Sequence, residues 1–125
     1  MKVVLDAGAL VAIEKRDRNV GAMLKVLEAR GVPVRTSAAV VAQVWRDGRK
    51  QALLARVLAG VKVIGLTPGD DRATGELMAK AGSSDVVDAH VALLVEEGDQ
   101  LLTSDREDLQ QLLAAKHIEA IVVKV

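Results

Sequence analysis

The chain opens MKVVLDAGALVA (residues 1–12), where the aliphatic run Val3, Val4, Leu5 meets Asp6 and then the small residues Ala7 and Gly8. A single early Lys and an Asp inside the apolar run make a poor secretory signal and a good buried strand. Asp6 then closes that strand, and its small neighbours leave the carboxylate accessible. Working outward, similar short runs rich in Val, Ile or Leu predict strands over Val32 to Arg35, Val61 to Ile64, Gln100 to Thr103 and Ala120 to Val123. Segments of helical period fill the gaps, and this alternation predicts an α/β fold with a mainly parallel sheet of about five strands.

Val20, Met23, Leu24 and Leu27 fall on one helical face, with Gly31 and Pro33 as the stop. Leu53, Leu54, Val57 and Leu58 form a second stripe ending at Gly60. Thr67 and Pro68 resemble the cap and first position of another helix, running to about Gly82. The segment Val86 to Val95 is apolar almost all round, as expected of a helix buried at the centre of a domain, yet its first turn is acidic.

The length of 125 residues suits one domain, and no apolar run approaches a membrane span of ~18 residues. A single domain over residues 1–125, soluble and cytoplasmic, is the expectation. The absence of Cys excludes disulfides, thiolate nucleophiles and cysteine-bound zinc, and two isolated His residues do not build a structural zinc site. Any metal needs oxygen ligands. Seventeen basic against seventeen acidic residues argue against a bulk positive field for coating nucleic acid. One Trp with no Phe or Tyr removes the stacking platforms of common single-strand binding modules.

What remains is carboxylate chemistry. Asp105 follows the run Leu101 to Ser104, so it and Asp6 should face the same rim of the sheet, where parallel α/β folds place their ligands. Asp108 lies three residues on. Asp85 and Asp88 share an i, i+3 relation at the start of the buried helix. Each alone is open to a structural explanation, because Asp is a preferred helix cap and favours the first turn; Asp85 and Asp105 fit that best. Together, several acids in a partly buried site repel one another unless a cation neutralises them. All-oxygen ligands suit Mg²⁺ or Mn²⁺.

These residues carry a resemblance to the PIN-domain ribonucleases, in particular the VapC-like toxins of type II toxin-antitoxin pairs, over nearly the whole chain. MKVVLDAGALVA resembles the family's opening strand with its first metal-binding aspartate, here Asp6. DVVDAHVALL resembles the central Asp-Ala motif, which assigns Asp88 and leaves Asp85 auxiliary. LLTSDREDL resembles the closing motif, with Thr103 and Asp105 at the rim and Asp108 beside them. TSAAVVAQVWRDG resembles the helix that usually carries a metal-site Glu, but here the residue is Gln43, a neutral amide. That departure implies weaker or more selective metal binding, or an inactive relative. The resemblance implies a three-layer α/β/α sandwich and hydrolysis of RNA by a metal-activated water. Asp6, Asp88 and Asp105 would hold Mg²⁺ or Mn²⁺, Asp85 would tune the site and Thr103 would fix a water or carboxylate. It also implies an antitoxin partner and a homodimer.

Arg46, Arg49, Lys50 and Arg56 concentrate basic charge beside the Gln43 helix. Arg46 and Arg49 are candidates for holding RNA phosphates, against the alternative of a solvated helix face, which suits Arg56 better. His90, two helical positions beyond Asp88, points to nearly the opposite side and is expected to pack or hydrogen-bond. Trp45 is expected to pack against a neighbouring helix or subunit. Two other readings compete. Aspartyl-phosphate enzymes also use strand-end Asp with Mg²⁺. The haloacid-dehalogenase-like pattern requires Asp where Gly8 stands, however, and a receiver domain requires Asp at the end of VKVIGL, which has none. A catalytically weak or inactive PIN-fold interaction domain would use helix faces such as Val20 to Leu27 and Ala38 to Trp45.

Overall fold

The three residues Val3, Val4 and Leu5 are wholly inaccessible to solvent, as a strand must be when it has a strand on each side and a helical layer on each face. The computed structural model describes residues 1–125. The elements are β1 (Val3–Leu5), α1 (Ala7–Glu14), α2 (Arg18–Ala29), β2 (Val34–Ser37), α3 (Ala38–Val44), α4 (Ala52–Leu58), β3 (Lys62–Ile64), α5 (Asp70–Ala81), α6 (Val86–Leu94), β4 (Gln100–Thr103), α7 (Arg106–Ala115) and β5 (Ile121–Lys124). One five-stranded sheet has the order β3-β2-β1-β4-β5, and every neighbouring pair is parallel.

That order separates the helices into two layers. From β1 the chain steps outward to β2 and β3, then returns across the sheet to β4 and β5. Right-handed crossovers in opposite directions put their helices on opposite faces. Accordingly α2, α3 and α4 pack on α1, while α5, α6 and α7 pack on one another. Twenty-one buried apolar residues form one core on both sides of the sheet, with α6 lying against β1 and β2. Strand order reverses between β1 and β4, so the crevice at their carboxyl ends is the topological switch point. Asp6 and the Thr103–Asp105 turn flank it.

Local chemistry moves several boundaries away from the sequence expectation. β2 starts at Val34 rather than Val32; Pro33 has no N–H, and its carbonyl instead accepts the Val3 N–H at 2.9 Å. β3 and β5 likewise begin one residue later than expected, at Lys62 and Ile121. Thr67 and Pro68 do not open α5. Gly69, with φ at +101°, interrupts the helical conformation, and the helix begins at Asp70, whose carboxylate accepts the Thr67 hydroxyl at 3.0 Å. The first strand ends at Leu5 as expected, and α1 starts at Ala7, because Asp6 caps the new helix by accepting the Ala7 N–H at 2.8 Å.

Close packing of α1 onto the β4–α7 turn depends on Gly8. A Cβ there would lie 2.6 Å from the Ser104 Cβ and 2.9 Å from its backbone nitrogen. Gly8→Ala is therefore expected to destabilise the fold by about 1–3 kcal/mol, because backbone must move to admit the methyl group. Thermal melting checks this; an unchanged melting temperature would mean the turn yields freely. The opposite end of the sheet is tied by charge. Lys2 and Asp99 are buried and joined Nζ to Oδ2 at 2.6 Å, and the Lys116 ammonium donates to the carbonyls of Ala92, Leu93 and Val95 at the end of α6.

Candidate metal centre at the carboxyl ends of β1 and β4

Asp88 enters the crevice because Asp85 starts α6. The Asp85 side chain accepts the N–H groups of Val87 and Asp88, both at 3.0 Å, so its structural role is the helix cap. Asp105 also stands at a helix start, yet its side chain makes no capping bond and stays available. One carboxylate oxygen from each of Asp88, Asp105 and Asp108 lies within 4.8 Å of the other two. Asp88 is buried, Asp105 half-buried and Asp108 exposed, so the group runs from the interior to solvent.

Asp6 stands beside this trio and is held rigidly. Its Oδ2 accepts the Thr103 hydroxyl at 2.7 Å and its Oδ1 the Ala7 N–H, while Thr103 Oγ1 accepts the Asp105 N–H at 2.9 Å. Thr103 thus couples β1 to the turn carrying Asp105. Asp6 is 4% exposed and Thr103 is fully buried, so this link is shielded from water. Of the sequence-derived set Asp6, Asp88 and Asp105, the structure gathers Asp88 and Asp105 at ligand spacing, with Asp108 as the third member and Asp6 adjoining.

Electrostatics mark the group as unsatisfied. Burial pushes the Asp88 carboxyl up to about 7, and the charges of Asp6, Asp85 and Asp105 push the same way. Its Oδ2 is buried without a hydrogen-bond partner. Asp108 is also raised, chiefly by the charge of Asp105. A buried carboxylate with an orphaned oxygen and three acidic neighbours is a donor set able to hold a cation, and oxygen ligands alone suit a hard divalent ion.

The remaining candidates lie elsewhere. Gln43 is exposed on α3 and makes no side-chain hydrogen bond. Arg46 bonds the carbonyls of Ala42 and Trp45, and Arg49 pairs with Asp47 at 3.3 Å. Trp45 packs on the core from a half-buried position. Sequence reasoning did not anticipate the buried contact between Ser37 Oγ and His90 Nδ1 at 2.6 Å, which joins the start of α3 to α6; burial lowers the pKa of that imidazole, opposed by the charge of Asp70. A Ser at the end of β2 before an apolar helical run signals the cap, but nothing local names its partner. Gln51 was missed also. Buried, it accepts the N–H groups of Arg46 and Asp47 and donates to Glu14 and the Val44 carbonyl, so it fastens the α3–α4 loop to α1.

A parallel α/β sheet with carboxylates gathered at its switch point defines a class of acid-centred α/β proteins. Within that class, the chain belongs to the PIN domain family, which it matches over residues 3–114. Among solved structures, it is similar to a chain in the crystal structure of VapBC2 from Rickettsia felis bound to a DNA fragment from their promoter. The two are 18% identical with a TM-score of 0.67, covering 100% of this chain and 99% of that one. At that identity the likeness speaks for the fold. No curated protein matches.

Proposed function

We propose that the protein is a metal-dependent endoribonuclease, acting as the toxin of a toxin-antitoxin pair. Membership of the PIN family supports a nuclease, and the acidic group supplies the observation that carries the metal: three carboxylate oxygens within 4.8 Å, with a buried Asp88 oxygen left unpaired. Asp88, Asp105 and Asp108 would hold Mg²⁺ or Mn²⁺, with Asp6 contributing charge or a water contact. When bound, such a cation lowers the pKa of an attacking water and orients the phosphodiester for hydrolysis.

The chain's own residues supply the rest. Thr103 and the Ala7 N–H hold the Asp6 carboxylate at 2.7 and 2.8 Å, so its negative charge is presented without side-chain freedom. Asp85 fixes the first turn of α6 and thereby the direction of Asp88. Asp108, exposed, can adjust to the ligand. Arg46 and Arg49 are proposed phosphate contacts, and using Arg49 requires release of Asp47. Residues 1–125 would act as one domain, paired with an antitoxin protein and a second copy of the chain, in the cytoplasm. No helix is long and apolar enough to cross a membrane.

A structured RNA pool incubated with the purified protein in Mg²⁺, Mn²⁺ or a chelator tests this reading. Cutting in either metal that stops with the chelator is the expected result. Thermal stabilisation by the same metal should accompany it, since a ligand of the folded state raises its melting temperature. Gln43 favours a second reading, an interaction domain without catalysis, because no carboxylate stands at that exposed position of α3. Absence of both cutting and metal stabilisation would favour that alternative and overturn the nuclease.

A further inference from the structure

The acidic group continues into an open cleft of about 350 Å³, lined by Gly82, Ser83, Ser84, Asp85, Asp108 and Gln111 without one apolar side chain. Asp108 belongs to both features: it reaches Asp88 and Asp105 on one side and walls the cleft on the other. A phosphodiester held at the acidic group therefore has its neighbouring nucleotide beside this cleft. Two helix ends build it. Gly82, left-handed at φ +67°, terminates α5 and turns the chain through Ser83 and Ser84 to the Asp85 cap, while Asp108 and Gln111 lie i, i+3 on one face of α7.

The hydrogen-bonding inventory decides what fits. Asp85 uses Oδ1 on two backbone N–H groups and keeps Oδ2 as an acceptor. Gln111 donates Nε2–H to the Ala81 carbonyl at 2.6 Å, which leaves its own carbonyl oxygen as a fixed acceptor. Ser83 Oγ accepts the Asp85 N–H at 3.2 Å and retains its proton to donate, and the exposed Ser84 hydroxyl, which makes no hydrogen bond within the protein, both donates and accepts. Acceptors predominate, two of them carboxylates. Such a wall repels a phosphate, which is anionic and only accepts, and it gives a planar base no apolar or aromatic face to lie on. A hydroxyl both donates and accepts, and matches it.

We propose that this cleft takes the ribose of the nucleotide flanking the cut, reading its 2′-hydroxyl and thereby selecting RNA over DNA. The assignment rests on the nuclease reading above. It is tested with an RNA oligonucleotide that the wild type cuts, remade with one 2′-deoxy nucleotide at each position in turn. One flanking position should slow wild-type cutting about tenfold, the loss expected when a site built for a hydroxyl meets a substrate lacking it. Ser84→Ala and Gln111→Ala should each slow cutting of the all-ribose strand and shrink that penalty below about twofold, as the partner of the hydroxyl is already gone. Ser84 is exposed, so Ser84→Ala keeps the test valid should Gln111→Ala fail to fold. RNA cutting with no position-specific penalty, or with the full penalty retained in both variants, overturns the ribose assignment and leaves the nuclease standing. Failure of the wild type to cut any RNA overturns both.

Discussion

Asp88→Asn is expected to abolish RNA cutting and, in metal-free buffer at pH 8, to make the protein more stable than the wild type. The two effects share one cause. At pH 8 the wild-type carboxylate is ionised folded or unfolded, but the folded state hosts it poorly, buried beside Asp6, Asp85 and Asp105. A rise from 3.8 to about 7 corresponds to a folding cost on the order of 4 kcal/mol above pH 7. Because the folded pKa is the higher one, that cost is absent well below pH 4, grows as pH rises, and is complete above about 7. The amide carries no charge and escapes it. Metal-free Asp88→Asn should therefore melt about 10–20 °C above wild type at pH 8, the gap closing towards pH 4. Adding Mg²⁺ or Mn²⁺ should reverse the order, since the wild type gains a ligand and the variant loses a charged donor. Calorimetry across pH with and without metal checks this. A variant less stable than wild type at every pH would mean that Asp88 holds the fold together and is not a strained ligand. Loss of cutting should exceed about a hundredfold, as for removal of a group stabilising charge at the reacting centre.

At the opposite rim, Asp99→Ala is expected to cost about 3–5 kcal/mol without touching the acidic group. Asp99 accepts from Lys2 Nζ at 2.6 Å, from the Lys2 N–H at 3.0 Å and from the Glu96 N–H at 2.8 Å. Removing it strands a Lys2 side chain that is only 10% exposed, leaving Glu96 at 3.5 Å, itself 77% exposed and solvated. Burial pushes the Asp99 pKa up, but the Lys2 and Glu96 hydrogen bonds and the ammonium charge outweigh it, and the net displacement is downward. A depressed folded pKa contributes stability above the unfolded value, near 4, and loses it as pH falls through the lower folded value. The deficit of the variant should thus be full at pH 7 and shrink below about pH 4, as urea unfolding at several pH values will show. Replacing both partners by apolar residues, as in Lys2→Met with Asp99→Leu, should recover much of the loss, because no unpaired charge then stays buried. An equal deficit at pH 7 and pH 3 would assign the loss to packing instead.

Much of the fold was legible in the chain because strands and helices advertise themselves by period. All five strands lie within two residues of the runs that predicted them, and the α6 segment read as buried because it is apolar almost all round. The placement of Asp6 and Asp105 at strand ends followed from the residues immediately before them. What failed was local punctuation. Thr67 and Pro68 carry the chemistry of a helix start, but the left-handed Gly69 delays α5 to Asp70. Asp6 reads as the close of the first strand, as it is, but its second role as the cap of α1 was not legible, because an aspartate after an apolar run signals a site carboxylate and a helix cap equally well.

The site divides in the same way. By itself the sequence determined which residues carry the chemistry, since only carboxylates are plentiful in a chain with no Cys and two His, and it determined that they stand at strand ends and helix starts. Only the tertiary structure decided how they are shared out. Asp85 and Asp105 have the same local signature, an Asp before a helix, yet one caps its helix through Oδ1 and the other makes no capping bond. Asp108 joins Asp88 and Asp105, while Asp6 is bound by a hydroxyl 97 residues away. The pairing of Lys2 with Asp99 and of Ser37 with His90 was equally invisible. Helix and strand propensities act over a few residues, whereas these contacts join segments that meet only when the parallel sheet orders β4 beside β1 and buries α6 against it.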